Sequence, residues 1–288
     1  MTRLGARILS PVLSAALAVL VAMPVAADPA RRIVSAGGSV TEIVYALGQE
    51  DRLVARDSTS TYPEAARELP DIGYVRRLSP EGLLSVDPDL ILVEDGAGPP
   101  EALALIRETE IPVVTIPMGF DRAAVLAKIA AVAEALDMRA QGAALAARIA
   151  GEIDAATADV TGPGQRVLFV LSVQDGRLLA AGQNTAADGV IRMAGARNAV
   201  TGFDGYKQLS DEAVLSAAPD AILLMEARGN ADVARAELLA HPAIAATPAG
   251  KNAAVIRMDG MLLLGFSVRT GQAVTELAAG LRALAGKT

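Results

Sequence analysis

Hydrophobic positions along the chain form short apolar runs that alternate with stretches of helical periodicity. The segments DLILVE (89–94) and DAILLME (220–226) are continuous apolar runs with the length of a buried strand. Each begins directly after a proline, a residue that ends a preceding helix. Strands that alternate with helices in this way predict parallel sheets covered by helices.

Two segments of the chain are near copies of each other. Residues 78–92 read LSPEGLLSVDPDLIL and residues 209–223 read LSDEAVLSAAPDAIL, with nine identical positions. Each copy predicts a helix followed by a buried strand. Ser79 and Ser210 are N-cap candidates, and each has a carboxylate two residues later, which suits the positive end of a helix dipole. The repeat indicates two similar lobes.

The stretch between the two copies is helical in its pattern. Apolar residues recur at helical spacing over 121–160, and Asp137 is a candidate cap for a helix that starts near Met138. Such a helix would have about 22 residues and a length of about 33 Å, enough to reach from one lobe to the other. We therefore expect an α/β fold of two similar lobes, each a parallel sheet flanked by helices, joined by a long linker helix.

The expected lobe boundaries follow from this layout: an N-terminal lobe over 28–137, a linker helix over 138–160 and a C-terminal lobe over 161–288. Ligands of open α/β sheets bind beyond the carboxyl ends of the strands. The cleft between the lobes is therefore the expected binding site.

The first residues read as a secretory signal peptide. A basic start with Arg3 and Arg7 is followed by an apolar run and the small residues VAA, which predicts cleavage after Ala27 and a signal peptide over 1–27. The alternative is a membrane anchor, although the run is interrupted by prolines. No cysteine follows the run, which excludes a lipid-anchored lipoprotein. In a Gram-negative bacterium, the exported protein would reside in the periplasm.

Composition excludes several classes of function. The 288 residues include no cysteine and one histidine, which rules out disulfides, thiol nucleophiles, cysteine-ligated metal sites and multi-histidine metal sites. The net charge of −7 argues against nucleic-acid binding. The sequence has no G-x-S-x-G elbow, phosphate loop or H-E-x-x-H motif, so we do not expect an enzyme. A secreted α/β hydrolase is kept as a distant alternative.

The leader, the two α/β lobes, the helical linker and the paired S-x-E-x-x-L-S…P-D-x-I-L motif together resemble class III periplasmic substrate-binding proteins. These proteins serve ABC importers of haem, siderophores and cobalamin. Residues 71–92 and 257–273 resemble the haem (hemin) branch more specifically. The resemblance covers essentially the whole mature chain and implies a monomer that carries ferric haem to a permease dimer in the inner membrane. A ferric siderophore or cobalamin is the alternative cargo.

The resemblance also implies an iron ligand. In haem-binding relatives the tyrosine of a G-Y-x-R segment ligates the iron, and Tyr74 matches it here, with Arg76 at the position that hydrogen-bonds the ligand oxygen. A phenolate is a recognised axial ligand of ferric haem. Nearby positive charge favours the anion. His241 does not match the position of a second axial ligand, so we expect five-coordinate iron.

Three further residues are candidates for contact with the haem. Tyr206 lies in GYKQLS, which echoes the GYVRRLS that contains Tyr74, and it could face the cargo from the opposite lobe or simply pack. Arg228 suits a haem propionate, although a solvated loop charge is equally consistent with the sequence. Met261, with Leu262 and Phe266, could supply an apolar wall, or could belong to the core.

The repeat places Glu81 and Glu212 at equivalent positions. In the family that the chain resembles, one glutamate on each lobe meets arginines of the two membrane subunits, so these residues are the expected permease-docking pair. Twofold-related acids suit twofold-related basic pockets. The alternative role is stabilisation of the helix starts.

Overall fold

Two sheets, one from each half of the chain, form the framework of the molecule. The computed structural model describes residues 29–158, 164–174, 176–226 and 231–286. The predicted signal peptide (1–27) lies outside these ranges. Within them, no helix combines the length and apolar character needed to cross a bilayer.

The first sheet is entirely parallel. Its four strands lie in the order β2-β1-β3-β4, with β1 between its two partners. The strands are β1 (Ile33–Ala36), β2 (Leu53–Arg56), β3 (Leu90–Glu94) and β4 (Val113–Ile116). β1 and the first four residues of β3 are buried, as the apolar run over 89–94 predicts for a strand covered on both faces.

The second sheet is mixed. Its main path runs β10-β9-β5-β6-β8, and β7 pairs with β5. Pairing is parallel for β10, β9, β5 and β7, but β6 is antiparallel to both β5 and β8. The two-lobe α/β architecture is confirmed, whereas the expectation that each sheet is parallel throughout is wrong for the second lobe. The strands are β5 (Arg166–Gln174), β6 (Arg177–Ala181), β7 (Arg197–Asn198), β8 (Tyr206–Leu209), β9 (Ala221–Glu226) and β10 (Val255–Asp259).

Helices cover both sheets and connect the strands. Two short 3-10 helices, Glu50–Arg52 and Glu64–Glu68, lie in the first half. The α-helices are α1 (Gly38–Ala46), α2 (Pro80–Leu84), α3 (Pro100–Arg107), α4 (Arg122–Ala135), α5 (Arg139–Ala158), α6 (Ala186–Met193), α7 (Asp211–Ala217), α8 (Ala231–Ala240), α9 (Pro242–Ala245), α10 (Pro248–Lys251), α11 (Gly260–Leu264) and α12 (Thr270–Ala285).

The repeated segments fold alike. Ser79 caps α2 by accepting a hydrogen bond from the N–H of Gly82 at 3.0 Å, and Ser210 caps α7 by accepting one from Ala213 at 3.3 Å. Each helix is followed by a central strand of its sheet, β3 or β9. The sequence repeat therefore corresponds to a structural repeat of capped helix and buried strand.

The long helix α5 lies between the two halves of the chain. It has 20 residues and packs against α4 on one side and α12 on the other. The sequence suggested that Asp137 caps α5, but the structure shows that it does not. It adopts a left-handed conformation with φ of 59° after the end of α4, and the N–H of the next residue, Met138, reaches back to the carbonyl of Ala133 at 2.7 Å. Asp137 thus terminates α4.

The largest hydrophobic cluster is continuous across the lobes. It joins apolar side chains of both sheets with those of α4, α5 and α12. Ile129 of α4, Ile149 of α5 and Val274 of α12 are examples, and each is at most 1% exposed. The two lobes share one core, so a change in their relative orientation would expose apolar surface.

A buried ion pair also ties the lobes together. Glu42 of α1 is 2% exposed in its side chain and bonds to Arg269, 13% exposed, just before α12. The Nε of Arg269 donates to Oε2 of Glu42 at 3.0 Å, and the hydroxyl of Ser267 donates to the same oxygen. Burial opposes the charge of Arg269, yet its bonds to Glu42 keep its pKa above the ordinary value. The ring of Tyr62 covers the guanidinium at 3.9 Å.

Removal of this carboxylate should be strongly destabilising. We expect Glu42→Ala to lower the free energy of unfolding by about 3–5 kcal/mol, because it leaves the guanidinium of Arg269 buried and uncompensated. Glu64→Ala is the control: Glu64 is 89% exposed and pairs with Arg67 at 3.4 Å, so we expect a loss within about 0.5 kcal/mol. Urea unfolding measures both, and a loss below about 1 kcal/mol for Glu42→Ala contradicts the inter-lobe tie.

Candidate functional site

A cleft of about 500 Å³ opens between the lobes. Each strand of the first sheet sends a residue to it from its carboxyl end: Ser39 after β1, Thr59 after β2, Glu94 at the end of β3 and Met118 after β4. The opposite side is formed by residues 184–186, 205–206, 261 and 264–266 of the second half. The cleft is therefore located where an open α/β sheet places its ligand.

Tyr74 reaches the cleft from an anchored loop. Ile72, Val75 and Leu78 are at most 9% exposed and pin the loop to the first lobe, whereas Tyr74 is 41% exposed and Arg76 is also exposed. The apolar residues of IGYVRRL, which are spaced three apart, thus fix the loop to the lobe. The side chains of Tyr74 and Arg76 between them line the cleft.

Backbone hydrogen bonds hold this loop on both sides. The N–H of Ser58 donates to the carbonyl of Gly73 at 2.8 Å, and the N–H of Gly98 donates to the carbonyl of Val75 at 3.0 Å. Gly73 has a φ of +95°, a conformation that other residues rarely adopt, which explains the glycine before Tyr74. The loop is thus a fixed platform for the phenol.

Tyr206 faces the cleft from the opposite lobe. It starts β8, at the edge of the second sheet, and its ring packs edge to face on Phe169 with the centroids 6.4 Å apart. Burial raises the pKa of Tyr206, more than the guanidinium of Arg76 and a hydrogen bond with Thr185 lower it. Arg76 of the first lobe therefore acts on a phenol of the second, and that phenol stays neutral at physiological pH.

Apolar side chains form part of the cleft floor. Phe120, after β4, meets Phe266 edge to face with the ring centroids 5.6 Å apart, so the two halves of the chain touch here through aromatic rings. Met261 and Leu264 of α11 complete this surface. Leu262, expected beside Met261 and Phe266, is not among the residues that line the cleft and lies 7% exposed in the core.

A buried charged group under the cleft was missed by sequence reasoning. The ammonium of Lys128, 1% exposed in its side chain, lies 2.6 Å from Oε1 of Glu94 and 2.9 Å from the hydroxyl of Ser39. It also donates to the carbonyl of Gly265 across the lobes at 3.4 Å. The available signal was its position, since Lys128 falls on the apolar stripe of α4, three residues after Val125.

The structure brings four of the five proposed cargo-binding residues together. Tyr74, Arg76, Tyr206 and Met261 all line the same cleft. Arg228 lies outside the described residues. No group of three or more histidine or acidic residues in the described ranges is arranged to hold a metal ion.

The single histidine of the sequence lies at the start of α9. His241 is the N-cap residue of α9, directly before Pro242, and its Nε2 lies 2.9 Å from the carbonyl oxygen of Gly176. It is not among the residues that line the cleft. The structure therefore offers no histidine beside Tyr74 in the part of the chain that it describes.

Glu81 and Glu212 occupy equivalent and exposed positions at the second residue of α2 and of α7. Hydrogen bonds to its own backbone N–H and to the Ser210 hydroxyl lower the pKa of Glu212 and keep its carboxylate charged. Each lobe therefore carries one exposed glutamate at the same position of its repeat.

Comparison with known proteins agrees with this geometry. A family profile described as "Periplasmic binding protein" matches residues 33–262. Among solved structures, the periplasmic heme-binding protein BhuT, determined in complex with two hemes, is 45% identical. The match has a TM-score of 0.83 and covers 88% of this chain and 98% of BhuT.

Two curated relatives match over shorter lengths. An uncharacterized ABC transporter substrate-binding lipoprotein, YvrC of Bacillus subtilis, is 25% identical over 67% of this chain and 63% of its own length. The vitamin B12-binding protein of Yersinia pestis is 34% identical over 35% of this chain and 36% of its own length. The matches thus span less than two thirds of the curated relatives.

The protonation of Tyr206 can be measured directly. We expect the phenolate absorbance of wild-type protein minus that of Tyr206→Phe to rise with a midpoint above the ordinary tyrosine value of about 10, because burial disfavours the anion. The phenylalanine retains the ring that packs on Phe169. A midpoint at or below about 10 would contradict the upward shift of the Tyr206 pKa that burial causes.

Proposed function

The chain belongs to the periplasmic binding protein family, and we propose that it captures ferric haem in its inter-lobe cleft and delivers it to the permease dimer of an ABC importer. One observation carries the proposal: Tyr74, on an anchored loop, is presented to a cleft of about 500 Å³ that Arg76 also lines. The extensive similarity to a heme-binding protein supports the same cargo.

Tyr74 is the proposed axial ligand. Its exposed phenol is free to meet a planar cargo that enters the cleft, and a phenolate suits ferric haem. Arg76, two residues along the same turn, is proposed to hydrogen-bond the ligand oxygen. The ligand and its hydrogen-bond donor are thus supplied by one loop.

The remainder of the cleft suits a flat, largely apolar macrocycle. Phe120, Phe266, Met261 and Leu264 offer apolar surface, which supports binding of the porphyrin faces. The charge of Lys128 is paired with that of Glu94, so these two residues add no net charge to the cleft floor. Arg228 remains a candidate for a propionate group.

Tyr206 is proposed to contact the haem from the second lobe. Its neutral phenol has a proton to donate, which suits a hydrogen bond to the cargo better than a second anionic ligand. Single ligation by Tyr74 then gives five-coordinate iron. His241 takes no part, because it lies outside the cleft lining.

The proposed setting is the periplasm. The leader over 1–27 would direct export and be removed. We propose that the protein acts as a monomer and as a binding protein, not an enzyme. Its partner would be the permease dimer, met by Glu81 on one lobe and Glu212 on the other.

Cobalamin is the second candidate cargo, because the matched segment of the Yersinia pestis protein belongs to a vitamin B12-binding protein. The presentation of Tyr74 to the cleft favours haem, since a phenolate is a ligand for ferric haem iron. A ferric siderophore is a further alternative, and the titration below distinguishes all three.

Hemin added to the purified protein should give a tyrosinate-type Soret band that saturates with a defined stoichiometry. Loss of groups that merely orient a metal ligand costs about 10–100-fold, so we expect Tyr74→Phe to weaken hemin binding by at least about a hundredfold. Tyr62→Phe is the matched control, since Tyr62 is 46% exposed but is not among the cleft-lining residues.

Parallel titrations with cyanocobalamin and a ferric siderophore identify the cargo. Tighter binding of either compound than of hemin would overturn the haem assignment. Full hemin affinity and an unchanged spectrum in Tyr74→Phe would overturn the ligand assignment and leave the cargo in place.

A transport assay distinguishes the binding of the cargo from its delivery to the permease. Charge reversal in the double variant Glu81→Lys, Glu212→Lys should leave the hemin titration unchanged, since both residues lie outside the cleft lining, but should reduce haem-dependent uptake at least ~tenfold. The control is Glu64→Lys, another exposed acid of the first lobe. Uptake at the wild-type rate in the double variant would exclude the docking role.

A further inference from the structure

Large apolar side chains are exposed at equivalent positions in the two repeats. Leu84 of α2 is 39% exposed and Leu215 of α7 is 46% exposed. In the alignment of 78–92 with 209–223, these two leucines coincide, just as Glu81 and Glu212 do. Each leucine follows its glutamate by three residues, so the pair occupies one helix face.

The repeats distinguish this exposed leucine from its buried neighbour. Leu83 and Val214, the preceding residues, are both 0% exposed and anchor each helix to its sheet. The leucines that follow are not needed for that anchoring, and Ser85 and Ser216 after them are exposed as well. The burial pattern is thus the same in both lobes.

Single exposed leucines are common on protein surfaces and need no explanation by themselves. Here other positions of the repeat differ, with Pro80 replaced by Asp211 and Val86 by Ala217, while the exposed leucine is the same in both copies. The same apolar group therefore lies beside the same acid once on each lobe. This arrangement fits a partner that presents two like surfaces.

We propose that Leu84 and Leu215 are apolar contact residues for the two subunits of the permease dimer, with Glu81 and Glu212 as their charged neighbours. The inference rests on the proposed delivery function. A homodimeric permease offers two copies of one surface, and the partner chemistry is an apolar socket next to a basic side chain. The glutamates would orient the encounter, and the desolvated leucines would slow dissociation.

Salt dependence distinguishes these two contributions. Attraction between exposed charges weakens as ionic strength rises, because ions screen it over about 10 Å at 0.1 M. Burial of an apolar side chain is not screened in this way. The effect of removing the leucines should therefore persist at high salt, while the effect of removing the glutamates should shrink.

The test measures the affinity of haem-loaded protein for the cognate ABC transporter, purified and reconstituted in nanodiscs, at 0.1 M and 0.5 M NaCl. Glutamine replaces leucine with similar length and helix propensity. We expect Leu84→Gln and Leu215→Gln each to weaken binding roughly tenfold, and the double variant roughly a hundredfold because the sites are on separate lobes. The factors should be similar at both salt concentrations.

Leu105→Gln is the matched control, because Leu105 of α3 is 54% exposed and has no counterpart within the repeat. Hemin titration and thermal melting of every variant should match the wild type. Wild-type affinity of the double leucine variant, or an equal loss in Leu105→Gln, would overturn the leucine contacts. If wild-type protein binds hemin but not the transporter, the delivery function itself fails. If wild-type protein binds the transporter and the double variant Glu81→Gln, Glu212→Gln binds it more weakly while the double leucine variant does not, only the leucine contacts fail.

Discussion

The geometry of the cleft depends on buried contacts that hold the two lobes against each other. The shared hydrophobic core, the pair of Glu42 with Arg269 and the contact of Phe120 with Phe266 all connect residues that are distant in sequence. Each would be broken or exposed if the lobes separated. The lobes are therefore held together by interactions that oppose wide opening of the cleft.

This constraint places the two tyrosines in different surroundings. Tyr74 projects from a loop pinned by buried apolar residues, while Tyr206 packs its ring on Phe169 and stays neutral because partial burial raises its pKa. Arg76 lies near both. One phenol on an anchored loop and one on an edge strand are thus placed on opposite lobes, an asymmetry that the repeated sequence alone does not show.

The repeat in sequence was sufficient to predict the capped helices, the central strands and the location of the cleft, because capping residues and buried strands are local signals. The mixed second sheet was not predicted, although the Asp-Gly pair at 175–176 between two apolar runs is a hairpin signal. The Lys128 network and the Glu42–Arg269 pair were missed because their partners are brought together only by the tertiary fold; Glu42 and Arg269 are 227 residues apart. Asp137 was misread because a residue between two helices can serve either one.

The central claim concerns the atom that holds the cargo, and a crystal structure of the hemin-loaded protein tests it most directly. The account predicts a porphyrin between the lobes, with its iron bonded to the phenol oxygen of Tyr74 and no histidine ligand. A porphyrin bound elsewhere on the protein, or iron held by a different side chain, would contradict it.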